Sequence, residues 1–177
     1  MRILETERLI LREIVSDDAG FILDLLNQPS FIKYIGDRGV RDLDGAREFI
    51  ESRYRKSYRE HGYGLYSVDL KNLPDDGKTA AANPTPIGMC GFVKRDSLPG
   101  PDIGFAFLPQ YEKKGFAYES AAAVMNYGRS ALNFSRVLAI TTTDNVASGK
   151  LLGKLGFEFD KLIESDGETL KLFSFEY

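Results

Sequence analysis

The amino-acid sequence predicts an α+β fold with one mixed, mostly antiparallel and twisted sheet of about six to seven strands and about four helices. In the second half of the chain, a strand-like run at 102–108 is followed by a helical run at 117–129 and a second strand-like run at 136–142. This order predicts a right-handed parallel crossover. The pair Asp166-Gly167 lies between two apolar runs, which is typical of a β-hairpin and therefore indicates antiparallel pairing as well.

The individual elements follow from residue spacing and from capping residues. Runs that mix apolar and polar residues predict strands at 8–15, 65–70, 87–94, 102–108, 136–142, 157–163 and 169–175. Helical spacing and caps predict helices at 16–26, at about 42–60, at 117–129 and in a short stretch after Asn145. The segment 71–86 is rich in Pro, Asp, Gly and Ala, and we predict that it is a mobile inserted loop.

Composition limits the classes of function. The chain has 177 residues, of which 43% are hydrophobic, so we predict a single domain over 1–177 with its own core. A net charge of −3 supplies no basic field for nucleic acid. Cys90 is the only cysteine and His61 the only histidine, which excludes an internal disulfide, a zinc site with two thiolates and a metal site with two imidazoles. No metal is therefore expected.

The start of the chain and its hydropathy predict a location. Residues 1–8 carry charges where a signal peptide needs an apolar run. The sequence also lacks any uninterrupted apolar run of about 18 residues, the length that a membrane span needs. We therefore expect a cytoplasmic protein without a membrane partner.

The segment 108–120 joins a predicted strand directly to a helix. Such a turn directs the unpaired amides of the first helical residues, and the positive end of the helix dipole, at whatever lies beyond the strand. Gly115 allows a close backbone approach, Ala117 is small, and Lys113 and Lys114 add positive charge. The turn is either an anion site or a helix start with solvated lysines. The glycine patterns of the common ATP and dinucleotide loops are absent, which disfavours ATP and NAD.

A second segment, 142–157, contains a short predicted helix. Asn145 and Ser148 stand at its start and Gly156 at its end. Taken alone, these residues are typical of helix caps, with Gly156 in the position after the last turn.

Taken together and in this order, the two segments resemble the GNAT superfamily of acyl-coenzyme A transferases. The residues 112–117, Glu-Lys-Lys-Gly-Phe-Ala, are similar to the pyrophosphate loop of that family, and Asn145, Ser148 and the pair Gly156-Phe157 are similar to its Asn-x-x-Ser/Ala…Gly-Phe motif. The opening run 5–12, the run 102–105 and Glu119 resemble the branch that contains ribosomal-protein N-terminal acetyltransferases.

The resemblance implies a sheet that splays apart between the fourth and fifth predicted strands, 102–108 and 136–142, with acetyl-CoA in the gap. It places the pantetheine beside Phe107 and Leu108 and near Asn145. It places the pyrophosphate on the backbone amides of five consecutive residues, Lys113, Lys114, Gly115, Phe116 and Ala117. The implied reaction is direct attack of a primary amine on acetyl-CoA in a ternary complex, without an acyl-enzyme.

Two residues depart from the family pattern. Glu112 stands where Arg or Gln is usual, and its charge would repel a diphosphate unless it points outward. Leu152 stands where many members carry a tyrosine that protonates the leaving thiolate, so this role is absent or falls to a hydroxyl such as that of Ser148. These departures motivate an alternative function, a coenzyme A-binding module that has weak catalysis or none.

The chemistry needs a neutral amine, a donor for the oxyanion and an acid for the thiolate. Asp102 is the first candidate for the base, because it lies on the same predicted strand as a backbone amide near Leu108 that is the expected oxyanion donor; a charge at a strand end is the alternative reading. Glu13 is the second candidate. Cys90, in an apolar strand, is expected to be a small core residue rather than a nucleophile.

The acceptor is expected to be the α-amine of a protein N-terminus or a small-molecule amine, and the protein a monomer or homodimer. Aromatic residues of the first half either line an acceptor cleft or pack in the core: Phe31, Tyr34, Tyr58, Tyr63 and Tyr66.

Overall fold

A computed structural model describes residues 1–71 and 84–177. Within these residues eight strands form one sheet, in the order β1-β2-β3-β4-β5-β6-β8-β7. The strands are β1 Arg2–Glu5, β2 Leu9–Glu13, β3 Leu65–Leu70, β4 Thr85–Val93, β5 Asp102–Phe107, β6 Arg136–Thr142, β7 Glu158–Ser165 and β8 Glu168–Glu176. The predicted loop 71–86 falls largely outside the described residues, and its last two residues already belong to β4.

The helices are α1 Ala19–Leu26, α2 Pro29–Tyr34, α3 Leu43–Phe49, α4 Lys56–His61, α5 Phe116–Ser130 and α6 Val146–Lys154. A π-helical segment, Ile50–Arg55, joins α3 to α4, so the helix predicted at about 42–60 is one continuous helical stretch. Short 3₁₀ turns at Ser16–Asp18 and Pro109–Tyr111 precede α1 and follow β5.

The predicted fold class and the single mixed sheet are confirmed, and two elements are additional. The strand β1 pairs antiparallel with β2 and brings the described strands to one more than predicted. The helix α2 begins with Pro29, just after the helix predicted at 16–26, and was not predicted from the sequence. Proline is well suited to the first turn of a helix, where its missing N–H is not needed.

The predicted splay lies between β5 and β6. These two strands are parallel, and their register contains one pair, Asp102 with Leu138, at their N-terminal ends. Beyond this pair the strands diverge, and both run toward the opening between them. The splay between the fourth and fifth predicted strands is thus confirmed.

Side chains alternate between the two faces of the sheet and form a core on each. Helix α5 packs on one face, where Phe116, Ala121 and Val124 join the largest buried cluster. Helices α1 to α3 pack on the other face, where Ile22, Phe31 and Ala46 belong to a second cluster. The opening between β5 and β6 therefore lies between these two helical layers. None of the helices in 1–71 and 84–177 is both long and apolar enough to cross a membrane.

Candidate functional site

The turn between β5 and α5 leaves the first amides of a 15-residue helix open. Lys113 and Gly115 both have left-handed backbone conformations, with φ of 58° and 84°. No side chain caps the helix at Gly115, and its first internal hydrogen bond runs from Glu119 N–H to the Gly115 carbonyl. The N–H groups of Phe116 and Ala117 precede that bond and therefore lack helical partners. Glu112, Lys113, Lys114 and Gly115 are exposed.

Residues of the β1–β2 turn hold this helix start. Thr6 Oγ1 donates to Glu119 Oε1 at 2.6 Å, and Arg8 Nε donates to Glu119 Oε2 at 2.7 Å. Arg8 Nη1 donates to the Lys114 carbonyl at 3.1 Å, and the guanidinium carbon lies 4.5 Å from the centroid of the Phe116 ring. We call Thr6, Arg8 and Glu119 the loop clamp.

The loop clamp keeps Glu119 charged. Burial raises the pKa of Glu119, but hydrogen bonds from Thr6 and Arg8 outweigh burial, so that the pKa lies below its usual value. A carboxylate in the first turn of α5 is also favoured by the positive end of the helix dipole.

The backbone register shows which amides of β5 face the opening. Leu108 N–H donates to the Ile87 carbonyl at 2.9 Å, so this amide belongs to the ladder with β4. Inward and outward N–H groups alternate along an antiparallel pair. The N–H groups of Phe105 and Phe107 therefore point away from β4, toward β6. Of the predicted pantetheine neighbours, Phe107 offers its amide to the opening, whereas Leu108 does not.

The start of α6 lies on the other side of the opening. Asn145 Oδ1 accepts a hydrogen bond from Ser148 N–H at 3.1 Å, which confirms the predicted cap. Gly156, with φ of 91°, follows the last turn as predicted. Asn145 and Ser148 are half-buried and lie just beyond the C-terminal end of β6. The structure thus brings residues 107–117 to one border of the opening and Asn145 and Ser148 to the other.

Asp102 lies at the closed end of the splay. It pairs with Val93 on one side and with Leu138 on the other. Six residues of strand at about 3.3 Å each separate it from Leu108 by roughly 20 Å. Asp102 is 1% exposed, and Arg95 Nε donates to both of its carboxylate oxygens at 3.1 Å. Burial raises its pKa to about 6, against the opposing effect of Arg95. The structure does not bring Asp102 together with the other predicted site residues.

A polar group that we did not predict lies on β6. Thr141 is 8% exposed, and its Oγ1 has no hydrogen-bond partner among the described residues. Val137 and Ala139, four and two residues earlier, are buried in the α5 cluster, so Thr141 faces the same layer. Phe105 and Thr141 each lie three residues after the Asp102–Leu138 pair. The parallel register therefore places them opposite each other across the opening. A threonine in a strand gives no sequence signal for such a position.

The remaining candidates are explained by packing. Leu152 is buried in the α5 cluster and offers no hydroxyl. Burial raises the pKa of Cys90 to about 12, which fits the predicted core role. Glu13 lines a cavity of about 190 Å³ at the end of β2 with Arg55, Tyr58 and Arg59. No group of three or more potential metal ligands from His, Cys, Asp and Glu is found among residues 1–71 and 84–177.

The aromatic residues of the first half are mainly structural. Phe31 and Tyr66 are buried in the two cores. Tyr58 OH accepts from Ile14 N–H and donates to the Leu65 carbonyl. For Phe31 and Tyr66 the core alternative is correct, whereas Tyr58 is half-buried and lines the cavity beside Glu13. Next to Tyr34, Lys33 Nζ lies 3.3 Å from Asp144 Oδ2, which connects α2 to the turn between β6 and α6.

Comparison with known proteins gives consistent matches. Residues 8–158 match the family described as Acetyltransferase (GNAT) domain. The uncharacterized N-acetyltransferase YoaA of Bacillus subtilis is 33% identical over 159 residues, which cover 88% of this chain and 82% of that protein. The [ribosomal protein uS5]-alanine N-acetyltransferase of Escherichia coli is 26% identical, with 88% and 77% covered. The structure of RimL, a ribosomal L7/L12 alpha-N-protein acetyltransferase in complex with coenzyme A, aligns with a TM-score of 0.77 at 14% identity and covers 99% of this chain and 98% of that one.

Proposed function

This chain belongs to the family of GNAT acetyltransferases and uses acetyl-CoA, and on that premise we propose that it transfers the acetyl group to a primary amine, either the α-amine of a protein N-terminus or a small-molecule amine. The observation that carries the proposal is the opening between β5 and β6. There, the open start of α5, the outward amides of β5 and the capped start of α6 face one gap.

The residues around the opening fit acetyl-CoA. The amides of residues 113–117, with Lys113 and Gly115 in left-handed conformations, form a concave anion site at the positive end of α5. Exposed Lys113 and Lys114 add charge, and Glu112 is exposed as well, so its carboxylate is free to point away from a diphosphate. We propose that Phe107 and Asn145 contact the pantetheine between these borders.

We propose that the amine attacks the acetyl carbonyl directly. The carbon–nitrogen bond forms while the oxyanion accepts a hydrogen bond from the N–H of Phe105 or Phe107, and the carbon–sulfur bond then breaks. Ser148 is the proposed acid for the departing thiolate, because Leu152 has no proton to give, and water restores the hydroxyl. The proton of the attacking amine passes to water.

The preference for an α-amine follows from its pKa. An α-amine with a pKa near 7.7–8.0 is partly neutral at physiological pH, whereas deprotonating a lysine with a pKa near 10.4 costs about 4 kcal/mol at pH 7.4. Asp102, the predicted base, lies at the closed end of the splay in a salt bridge with Arg95. An acceptor that needs little help from a base suits this arrangement. The E. coli relative, named for acetylating an alanine of ribosomal protein uS5, supports a protein N-terminus.

The test is a comparison of acceptors. Peptides with a free N-terminus, the same peptides with a blocked N-terminus and an internal lysine, and small amines such as amino acids and polyamines are assayed with acetyl-CoA. We expect kcat/KM to be highest for free α-amines. Equal rates on blocked peptides would contradict the α-amine preference. Tight coenzyme A binding in calorimetry without turnover on any amine would favour the alternative, a binding module without catalysis.

The Gly115→Asp variant tests the diphosphate site. The substitution adds a carboxylate and a Cβ at a left-handed position beside Arg8, so we expect the Kd of coenzyme A to rise about tenfold or more. Gly167→Asp is the matched control, because Gly167 has a similar φ of 80° and none of the described residues lies within 4 Å of an added Cβ. An unchanged Kd in Gly115→Asp, measured by calorimetry, would remove this turn from the site.

A further inference from the structure

We propose that Arg8 is a ligand of the diphosphate of acetyl-CoA, supplied to the α5 turn from the distant β1–β2 turn. The inference rests on the proposed site of the diphosphate at residues 113–117. It adds a guanidinium that lies more than a hundred residues away in sequence and belongs to neither of the two segments that indicated the function.

The guanidinium is held in place at the start of α5. Its Nε donates to Glu119, its Nη1 donates to the Lys114 carbonyl, and its central carbon lies over the Phe116 ring. The backbone N–H of Arg8 also donates to Glu119 Oε1, at 3.0 Å. Three of these contacts fix the orientation of the planar group, so little side-chain entropy remains to be lost when a ligand binds.

The remaining nitrogen, Nη2, lies next to Gly115. A Cβ built on Gly115 would stand 3.2 Å from Arg8 Nη2, which places this nitrogen directly over the glycine of the turn. No acceptor for Nη2 is recorded in the parts of the chain that the structure describes. The Arg8 side chain is 37% exposed, so the Nη2 edge is open to a phosphate oxygen.

The guanidinium of Arg8 suits a phosphate because its hydrogen-bond partners leave one nitrogen available. Glu119 occupies the Nε edge of the guanidinium and the Lys114 carbonyl occupies Nη1, so Nη2, next to Gly115, is the nitrogen left for a ligand. Arginine presents a rigid fork of donors that matches phosphate oxygens, whereas Lys113 and Lys114 are flexible and exposed. Arg8 is the cation whose position the structure fixes at this site.

Arg8→Gln and Arg8→Lys test the proposal with two thioesters. Acetyl-CoA carries the diphosphate, and acetyl-pantetheine carries the same reactive end without it. We expect kcat/KM for acetyl-CoA to fall about tenfold or more in Arg8→Gln, with a smaller fall in Arg8→Lys, which keeps the charge. The kcat/KM for acetyl-pantetheine should stay within about twofold of the wild type. Arg2→Gln is the matched control, since Arg2 is an exposed arginine of the same hairpin that pairs with Glu5.

The two substrates separate binding from structure. Equal losses on both thioesters would show that Arg8 only holds α5 in place, and unchanged kinetics on both would show that it does not touch the diphosphate; either result overturns the proposal. Urea denaturation of each variant identifies a loss of folding. Glu119→Gln weakens the loop clamp but keeps the Arg8 cation, so it should lower kcat/KM for acetyl-CoA less than Arg8→Gln does. A wild-type protein that fails to bind coenzyme A in calorimetry would instead refute the proposed function.

Discussion

At the scale of single residues, Thr141 and Thr142 are neighbours on β6 that differ in their hydrogen bonds. Each is 8% exposed. Thr142 Oγ1 donates to Asp144 Oδ1 at 2.8 Å, whereas Thr141 Oγ1 has no partner among the described residues. A buried hydroxyl without a partner has lost its hydration without compensation, and this costs roughly 1–3 kcal/mol.

The substitution Thr141→Val removes that cost. We expect it to raise the free energy of unfolding by about 1 kcal/mol, because valine has the same shape and no hydroxyl to satisfy. Thr142→Val is the matched control and should lower stability by about 1 kcal/mol, since it deletes the hydrogen bond to Asp144. Urea unfolding of both variants measures the difference. A loss of stability in Thr141→Val would show that the hydroxyl has a partner.

In the candidate site, the roles of residues whose type favours a particular backbone conformation or cap were predictable from the sequence. A glycine indicates a left-handed turn and an asparagine indicates a helix cap. Gly115 and Asn145 are found in these roles. Lys113 also adopts a left-handed conformation, but lysine carries no preference that indicates it. Arg8 and Glu119 meet only through the fold, and no local pattern relates residues so far apart in sequence.

At the scale of elements, β5 has a closed end and an open end, and Asp102 marks the closed one. Its carboxyl has a raised pKa of about 6 because it is buried, although Arg95 lies beside it. The folded protein then binds this proton more tightly than the unfolded chain, in which an aspartate has a pKa near 3.9. The carboxyl therefore contributes stability at low pH, and this contribution is lost as the pH rises from about 4 to about 6.

Asp102→Asn tests both the pH dependence and the predicted catalytic role. We expect the stability of the wild type relative to the variant to fall between pH 4 and pH 6, by an amount on the order of 3 kcal/mol, and to stay level above pH 7. Asp96→Asn, at an exposed carboxylate of the same loop region, is the control. If Asp102 is the base, the variant also loses turnover and an ionisation from its pH–rate profile with an unchanged Kd for coenzyme A. A normal profile from pH 6 to 9 would contradict that role.

The sequence indicated most elements because their signals are local. Helices α5 and α6 and the hairpin of β7 and β8 follow from caps, spacing and the Asp-Gly turn. The strand β1 was missed because its four residues include charges at both ends and its identity depends on pairing with β2. The sequence also placed Asp102 on the strand of Leu108, but only the register with β6 shows which end is closed.

At the scale of the whole molecule, the sheet consists of two parts that meet along a short seam. β1 to β5 form an antiparallel unit, and β6, β8 and β7 form another; the register between the two units contains the single pair Asp102–Leu138. Backbone groups of β5 beyond this pair face the opening instead of a neighbouring strand. A ligand that fills the opening supplies hydrogen-bond partners to both units and therefore connects them.

Coenzyme A should accordingly stabilise the whole fold. At a concentration of about 100 times its Kd, we expect a gain of about 2.7 kcal/mol in the free energy of unfolding, because the ligand binds only the folded state. Hydrogen exchange should slow at the backbone amides of Phe105, Phe107 and the start of α5. The cavity beside Glu13 lies at β2, three strands from β5, and exchange there should not slow beyond the gain in global stability. Gly115→Asp, mixed with the same concentration of coenzyme A, should show a smaller gain. Protection centred on the Glu13 cavity, or equal stabilisation of the variant, would place the ligand outside the opening between β5 and β6.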